Sequence, residues 1–354
     1  MSALRLYAWP VSPYSAKVRA YLKWTGANFA EIPPPVWDLK GKIQKAVGRA
    51  IMPTVQRADG SWLQDSAEII DVLEAEGDGP SITPPGPKQR VADLLLELHG
   101  DEWLPMAALH YRWNVPANAA FARDEFALWG VPLLPRFLGR KVVAQVADKM
   151  AAYLPRLGVD AQTAPGVEAF TEQLLGRLEE HFREHRFLFG SRPSRGDFAL
   201  FATPSAHLLR DPATTALVER FPRVRRWIGR LRTGEGRPGA FLEGDVVPET
   251  LEPILATMLA EQGAYVERLI AACDAWCAEH PTEYRMPRSL GDTEFTIGGH
   301  AGSRRLISEQ LWRVWRPLDA MTPEALEWLR GLGPFEWSPR NRVVRRNFEV
   351  VRAE

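Results

Sequence analysis

Ser12 and Pro13 lie at the junction between a short segment of alternating polarity and a segment with helical periodicity. A hydroxyl at the first turn of a helix adjoins free backbone N–H groups and the positive end of the helix dipole, and both favour an anion. A thiol has a pKa of about 8.5, so a donor in this place could help to keep a bound thiol ionised. The same serine could equally be a helix N-cap, worth about 1 kcal/mol. The residues alone leave both roles open, with Tyr14 and Ser15 as alternative donors.

Ser66 is a second hydroxyl at the predicted start of a helix, and Asp65 precedes it. Backbone N–H groups and a hydroxyl at a helix start form a natural cradle for a carboxylate. Ordinary capping of the helix by Asp65 or Ser66 is the alternative interpretation. Ser194 and Asp197 have the spacing of a capping box in front of an apolar helix, and we interpret them as structural.

The elements that must position these residues follow a regular order in the first eighty residues. Residues 4–10 alternate as a short strand that Pro10 closes, and a helix follows with Ser12 as N-cap and Gly26 as its end. Residues 27–50 contain three prolines and predict no clear element. Two short strands around Gly60 predict an antiparallel hairpin, and a second helix runs through 65–77. The order predicts a small α/β domain.

Three parts of the chain differ in pattern. Residues 1–79 form the predicted α/β domain, and a segment rich in proline and glycine, 78–87, predicts a linker. Residues 88–240 have mostly helical periodicity. Residues 241–354 predict an extension packed on the helical domain.

Within this extension, apolar residues from Leu251 to Trp276 recur at spacings of three and four, which predicts a long amphipathic helix. Residues 282–303 predict a loop with short extended pieces. Two helices are expected near 303–315 and 323–330. The arginines after residue 339 predict a solvated basic tail: Arg340, Arg342, Arg345 and Arg346.

Four segments resemble the cytosolic glutathione transferases, in the order that the family has them: VSPYSAKVRAYL, IMPTV, LQDSAEIIDVLE and, at 193–202, PSRGDFALFA. The resemblance covers roughly the first 230 residues. It implies a thioredoxin-like N-terminal domain, then the family's all-helical domain, and here an extra, mostly helical extension. It also implies a glutathione-dependent detoxification enzyme that forms homodimers in the cytoplasm.

The resemblance assigns roles to single residues. In the serine-type branch of the family, the serine that matches Ser12 donates a hydrogen bond to the glutathione sulfur. A cis Pro53 would turn the backbone of Met52 toward the tripeptide. Asp65 and Ser66 match the position that binds the γ-glutamyl carboxylate, although members usually have Glu or Gln before the serine. A basic residue for the glycyl carboxylate is expected among Lys40, Lys42, Lys45 and Arg49, and Lys40 is our choice.

The electrophile of these enzymes lies between the small domain and the first long helix of the second. Tyr14, His110 and Trp113 are therefore predicted to line its pocket, and we expect a small hydrophobic electrophile. The resemblance allows two types of reaction: conjugation of glutathione to the electrophile, and cleavage of an ether or halide bond. A non-catalytic binding or interaction module with the same fold is the alternative, because Asp65 and the run before Pro53 depart from the family pattern.

Composition limits the classes of partner. Basic and acidic residues number 44 each, so no global field attracts nucleic acid or an anionic membrane. No apolar run reaches the roughly 18 to 20 residues that span a bilayer. Two cysteines, Cys273 and Cys277, are too few for a disulfide framework and have no nearby partners for a metal site. A reducing cytoplasm is the expected location.

Overall fold

The computed structural model describes residues 4–77, 79–235, 239–346 and 349–352. Asp78, at the start of the predicted linker, and three residues of the Gly-rich stretch near 240 lie outside the described residues. The side chain of Arg346 in the basic tail is also outside the description.

The first domain is built on a four-stranded sheet. Its strands are β1 (Leu4–Tyr7), β2 (Phe29–Ile32), β3 (Thr54–Gln56) and β4 (Trp62–Gln64), in the spatial order β2-β1-β3-β4. Strand β1 runs parallel to β2 and antiparallel to β3, and β3 and β4 form the predicted hairpin. Its helices are α1 (Pro13–Thr25), α2 (Val36–Asp38), α3 (Gln44–Val47) and α4 (Ser66–Glu76), with a π-helical turn between α2 and α3. The thioredoxin-like fold is confirmed, and β2 is the strand that the prolines obscured.

Helix α1 shows why these residues form this element. Ser12 caps its N-terminus and Pro13 takes the first helical position. At the other end, Gly26 has φ 66°, a left-handed conformation that glycine adopts without steric cost, and its N–H bonds back to carbonyls of the last turn. Val18, Tyr21 and Leu22, on the inner face of the helix, are buried in the core.

The helical domain contains eight helices among the described residues. They are α5 (Pro87–Glu102), α6 (Pro105–Trp113), α7 (Pro116–Gly130), α8 (Arg136–Ala151), α9 (Ala164–His181), α10 (Arg195–Thr203), α11 (Thr215–Glu219) and α12 (Pro222–Thr233). Many begin with a proline, which suits a position whose N–H has no helical partner. The capping box of Ser194 and Asp197 is present at α10, and the indole of Trp227 donates to Asp197 at 2.8 Å.

The extension is less helical than predicted. Its helices are α13 (Glu252–Met258), α14 (Ala264–Glu279), α15 (Leu311–Asp319) and α16 (Pro323–Leu332), and a π-helical turn joins α13 to α14 as one long run. Its strands are β5 (Arg285–Met286), β6 (Ser289–Ile297), β7 (His300–Ile307), β8 (Val343–Arg346) and β9 (Glu349–Arg352). The prediction of a loop with short extended pieces at 282–303 is wrong, because β6 and β7 form a long antiparallel hairpin there. The helix expected from 303 begins only at Leu311.

The extension packs against α5 of the helical domain through α13, α15 and α16. Arg304 is buried, and its guanidinium lies 4.6 Å from the centre of the Trp103 ring. A cation over an aromatic face is attracted by the ring, most strongly when water is excluded. Arg304 thereby joins β7 to the helical domain.

Within the described ranges, no helix is long and apolar enough to cross a membrane. Cys273 and Cys277 are free and buried, and burial raises the pKa of the Cys273 thiol. The described part of the chain holds no group of His, Cys, Asp and Glu side chains that could bind a metal ion.

Candidate functional site

Ser12 occupies the N-cap of α1 with an extended backbone, φ −95° and ψ 121°. Its Oγ accepts a hydrogen bond from the backbone N–H of Ser15 at 3.2 Å, and the residue is half-buried. A hydroxyl that accepts in this way still has its own proton to donate. Capping of the helix and donation to an anion are therefore compatible roles of this one side chain.

The hydroxyls of the two alternative donors are poorly placed to bind a ligand, one because it is already bonded and the other because it is buried. The hydroxyl of Tyr14 donates to the carbonyl oxygen of Asp101 at 2.9 Å, and burial, reinforced by Glu102 and Asp101, raises the pKa of this phenol. Ser15 is fully buried, and its hydroxyl has no partner in the part of the chain that the structure describes. Of these three hydroxyls, that of Ser12 is the one that is neither fully buried nor donating to another residue in the described part of the chain.

Asp65 caps α4 with φ 70°, a left-handed value that is rare outside glycine. A strained backbone of this kind costs roughly 1 to 3 kcal/mol and is found mostly at functional sites. Its Oδ1 accepts from the backbone N–H of Ala67 at 2.9 Å. Its Oδ2 accepts from Arg313 at 2.9 Å and from Arg345 at 2.8 Å. Burial raises the pKa of Asp65, but the two guanidiniums outweigh it, so the pKa lies below its usual range.

Ser66 follows Asp65 as the first residue of α4 and is only 2% exposed. Its hydroxyl has no hydrogen-bond partner among the residues that the structure describes. A buried polar group without a partner costs roughly 1 to 3 kcal/mol. A carboxylate placed at this helix N-terminus would satisfy both the hydroxyl and the free N–H groups.

The Met52–Pro53 peptide bond is cis, as the resemblance implies. Met52 is half-buried and Pro53 is buried. Two residues of the preceding run, Arg49 and Ile51, line a cavity together with Tyr14 and Asp65.

This cavity, which we call the interdomain cavity, has a volume of about 230 Å³ and is lined by all three parts of the chain. From the helical domain come Glu102, Pro105, Tyr153 and Leu157. From the extension come Arg288, Ile307, Glu309, Gln310, Trp312, Arg313 and Arg345. The extension therefore forms one wall of this cavity.

Each carboxylate that lines the interdomain cavity is paired with arginine. Glu309 lies 3.1 Å from Arg49 and 2.8 Å from Arg288. Glu102 lies 2.7 Å from the Nε of Arg313. Burial raises the pKa of Glu102, opposed chiefly by that guanidinium. The cavity is thus lined by four arginines and three carboxylates that pair with one another, together with apolar and aromatic side chains.

Of the predicted site residues, Tyr14 and Asp65 line this cavity, and the others do not. Lys40 is exposed on the π-helical turn between α2 and α3. Lys42 contacts the Tyr7 hydroxyl and lies over the Tyr7 ring. The structure brings Arg49, the fourth basic candidate, to the cavity in their place.

His110 and Trp113 belong to the interior of the helical domain. The Nε2 of His110 lies 2.9 Å from Glu168, and its Nδ1 lies 3.0 Å from Asn114. Trp113 packs edge-on against Phe126, with ring centres 5.8 Å apart. The helix that carries them turns this face inward, so the two side chains do not line the interdomain cavity.

Arg313 and Arg345 are the site residues that sequence reasoning missed. Arg345 was expected in a solvated tail, but its side chain is only 9% exposed and pairs with Asp65. Because the two residues are 280 positions apart, no pattern in the sequence around either of them indicates that they pair. One clue was present: residues 312–316 contain two Trp-Arg pairs, and the ring of Trp312 lies 4.6 Å from the guanidiniums of both Arg313 and Arg345.

A larger groove of about 800 Å³ lies between α1, α7, α10 and α12. Its lining includes Arg19, Trp129 and Arg232, and none of the residues that the resemblance assigns to glutathione. Volume alone would select this groove. Two predicted site residues, Tyr14 and the strained Asp65, instead line the smaller interdomain cavity.

Comparisons with known proteins agree with this geometry at the level of the domains. Residues 6–81 match the model of the glutathione S-transferase N-terminal domain, and residues 171–230 match that of the C-terminal domain. No curated protein sequence matches the chain.

Solved structures with a similar fold include three at low identity. The β-etherase LigF from Sphingobium sp. strain SYK-6 is 22% identical, with 67% of this chain and 96% of that chain covered and a TM-score of 0.43. A glutathione S-transferase from Methylobacterium radiotolerans, in complex with glutathione sulfonate, is 20% identical, with coverages of 70% and 100% and a TM-score of 0.41. Gtt2 from Saccharomyces cerevisiae is 16% identical, with coverages of 66% and 97% and a TM-score of 0.38.

The two domain matches fall on the thioredoxin-like domain and on the helices around the α10 capping box, in the order along the chain that this family has. Neither match reaches the extension beyond residue 240. The chain thus has the N-terminal and C-terminal domains of a glutathione S-transferase, as the resemblance implied, and a C-terminal extension beyond them.

Proposed function

We propose that the protein is a glutathione-dependent transferase of the serine type. The observation that carries the proposal is the pair of helix-start hydroxyls in the first domain: Ser12 at α1, which retains a proton to donate, and Ser66 at α4, which is buried without a partner among the described residues. One suits a sulfur anion and the other a carboxylate. Glutathione has both groups.

Bound glutathione would supply the thiolate that displaces a leaving group from an electrophilic carbon. The chain's own residues would hold and ionise it. Ser12 would donate to the sulfur, and the N-terminal N–H groups of α1 would favour its negative charge. Ser66 would donate to the γ-glutamyl carboxylate, the Met52 backbone would face the cysteinyl unit, and Arg49 is better placed than Lys40 for the glycyl carboxylate.

The electrophile would lie in the interdomain cavity, against Tyr153, Leu157 and Trp312. These side chains suit a small aromatic or apolar molecule. The volume of about 230 Å³ is below the roughly 300 to 1,000 Å³ typical of pockets for drug-sized ligands. The cavity must therefore open before glutathione and an electrophile can occupy it together.

A homodimer in the cytoplasm is part of the proposal. Helix α8 presents an apolar ridge to solvent, with Leu138, Val142, Val146 and Met150 at intervals of four residues. Val142 is 52% exposed, and Phe137 beside the ridge is 65% exposed. A contiguous exposed apolar surface of this kind marks an interaction site, and a second copy of α8 would present the complementary ridge.

A non-catalytic member of the family is the second candidate, and the pairing of Asp65 with two arginines favours it, since the charges of the site are already satisfied. Calorimetric titration with glutathione, followed by turnover against a panel of aryl halides, epoxides and aryl ethers, tests the two. Binding with turnover supports the transferase. Binding without turnover against the whole panel supports the non-catalytic module, and absence of glutathione binding rejects the transferase and also supports that module.

A further inference from the structure

The carboxylate of Asp65 is already occupied by the chain's own arginines. Its Oδ1 takes the N–H of Ala67, and its Oδ2 takes the guanidiniums of Arg313 and Arg345. The rings and guanidiniums of Trp312, Arg313 and Arg345 stack together over this point. The cradle at the start of α4 is thereby covered.

The two arginines are held very differently. Arg313 lies on α15, which packs against α5, and it contacts three carboxylates, those of Asp65, Asp101 and Glu102, at 2.7 to 2.9 Å. Arg345 contacts Asp65 and Glu68, and the Glu68 side chain is 44% exposed.

Strand β8 carries Arg345 at the edge of the small sheet, in the order β5-β9-β8, and within the described residues its strand partner is β9. An edge strand with one strand partner opens more easily than a packed helix. Arg345 is therefore the movable group, and Arg313 is the fixed one.

The chemistry of the γ-glutamyl group shows what this movement would do. The group has a carboxylate and an ammonium on the same carbon. If the carboxylate lies at the N-terminus of α4, the ammonium needs an acceptor beside it, and Asp65 is the adjacent carboxylate. The guanidinium of Arg345 occupies that acceptor, so ligand ammonium and Arg345 compete for one side chain.

We propose that Arg345 is a latch on the glutathione site, and that β8 leaves Asp65 when the γ-glutamyl group binds. This inference rests on the proposed function. In the closed form Arg345 pairs with Asp65 and the start of α4 is covered. In the open form this pair is broken and the ligand binds. The measured dissociation constant then equals the intrinsic dissociation constant divided by the fraction of molecules that are open. Removal of the guanidinium raises that fraction.

The test compares two variants of the full chain by calorimetric titration with glutathione. Arg345→Gln is expected to lower the dissociation constant roughly fivefold or more, at the lower end of typical couplings between linked equilibria. Arg342→Gln is the matched control: Arg342 lies in the same segment, pairs with Asp319 and has its guanidinium 4.7 Å from the Trp315 ring, as Arg345 has with Trp312. It is expected to bind as the wild type does.

Hydrogen exchange of the wild type gives an independent readout that does not depend on a variant folding. Amides of 343–346 and 349–352 are expected to exchange faster when glutathione is present, because the latch opens. Equal affinities of wild type and Arg345→Gln, or unchanged or slower exchange of this segment, overturn the latch and leave the transferase intact. If neither protein binds glutathione, the proposed function fails and the latch fails with it.

Discussion

Lys17 of the first domain and Asp101 of the helical domain form a buried ion pair, with Nζ 2.7 Å from Oδ2 and both side chains almost wholly excluded from solvent. The same ammonium lies 2.8 Å from Glu97. Asp101 also accepts from Arg313, and Glu97 accepts from Arg316, both of the extension. Burial raises the pKa of Glu97, but Lys17 and Arg316 outweigh it and hold the pKa below its usual value. One charge network thus sets the relative positions of the three parts of the chain.

Replacement of Lys17 by Met should lower the free energy of unfolding by roughly 3 to 5 kcal/mol, because it leaves buried carboxylates with fewer partners. Denaturant unfolding measures the change. Lys40→Met, at an exposed position, is the control and should change stability by less than about 0.5 kcal/mol. A similar small change for Lys17→Met would mean that the network contributes little to the fold.

Replacement of Ser12 by Ala should raise the thiol pKa of bound glutathione by roughly one to two units, since a hydrogen bond to a charged group contributes about 1.5 to 3 kcal/mol. Binding should remain nearly intact while turnover slows. The pH dependence of thiolate absorbance in the complex reports the pKa. Ser12→Thr keeps both the hydroxyl and the cap and should behave as the wild type. An unchanged thiol pKa in Ser12→Ala would assign Ser12 to capping alone.

Glu261, in the π-helical turn between α13 and α14, gives a pH dependence of stability. Burial raises its pKa to about 7, and its Oε1 accepts from the backbone N–H of Gly298 at 2.7 Å. The folded state therefore keeps a proton that the unfolded state releases from about pH 4.5 upward, so this group lowers stability as pH rises from about 4.5 to about 7.

Glu261→Gln removes that titration. The variant should be more stable than the wild type above pH 7, by roughly 1 to 3 kcal/mol, and the difference should vanish near pH 4.5. Thermal unfolding across this pH range measures it. A constant difference at every pH would show that the ionisation of Glu261 is not its source.

The ridge on α8 predicts the effect of a single charge on association. Val142→Asp should convert the proposed homodimer into a monomer, because a carboxylate at the centre of an apolar interface has no partner. Light scattering after gel filtration measures the mass. Val246→Asp is the matched control, since Val246 is 53% exposed at another place on the surface, and it should remain dimeric. A wild type that is already monomeric would reject the proposed interface.

Local chemistry determined much of this protein. Proline at the start of a helix, serine at its cap and glycine at its end act within a few residues, so α1, α4 and the capping box of α10 could be predicted from sequence. The motif order of the first 230 residues indicated the family, and the two domain matches confirm it. The strand after Ala27 and the hairpin β6–β7 were missed because prolines and glycines in and beside them interrupt the alternation that marks a strand.

Only the tertiary structure decided what surrounds the site. Nothing near Arg345 in the sequence indicates that it lies against Asp65, 280 positions away, or that Arg313 joins them. His110 and Trp113 stood on the predicted helix, but its packing turned them inward. Capping and turn preferences depend on neighbours along the chain, whereas ion pairing and burial depend on which surfaces meet after folding. That is why the helices and the family could be predicted from the residues, whereas the pairing of Arg313 and Arg345 with Asp65 at the start of α4 could not.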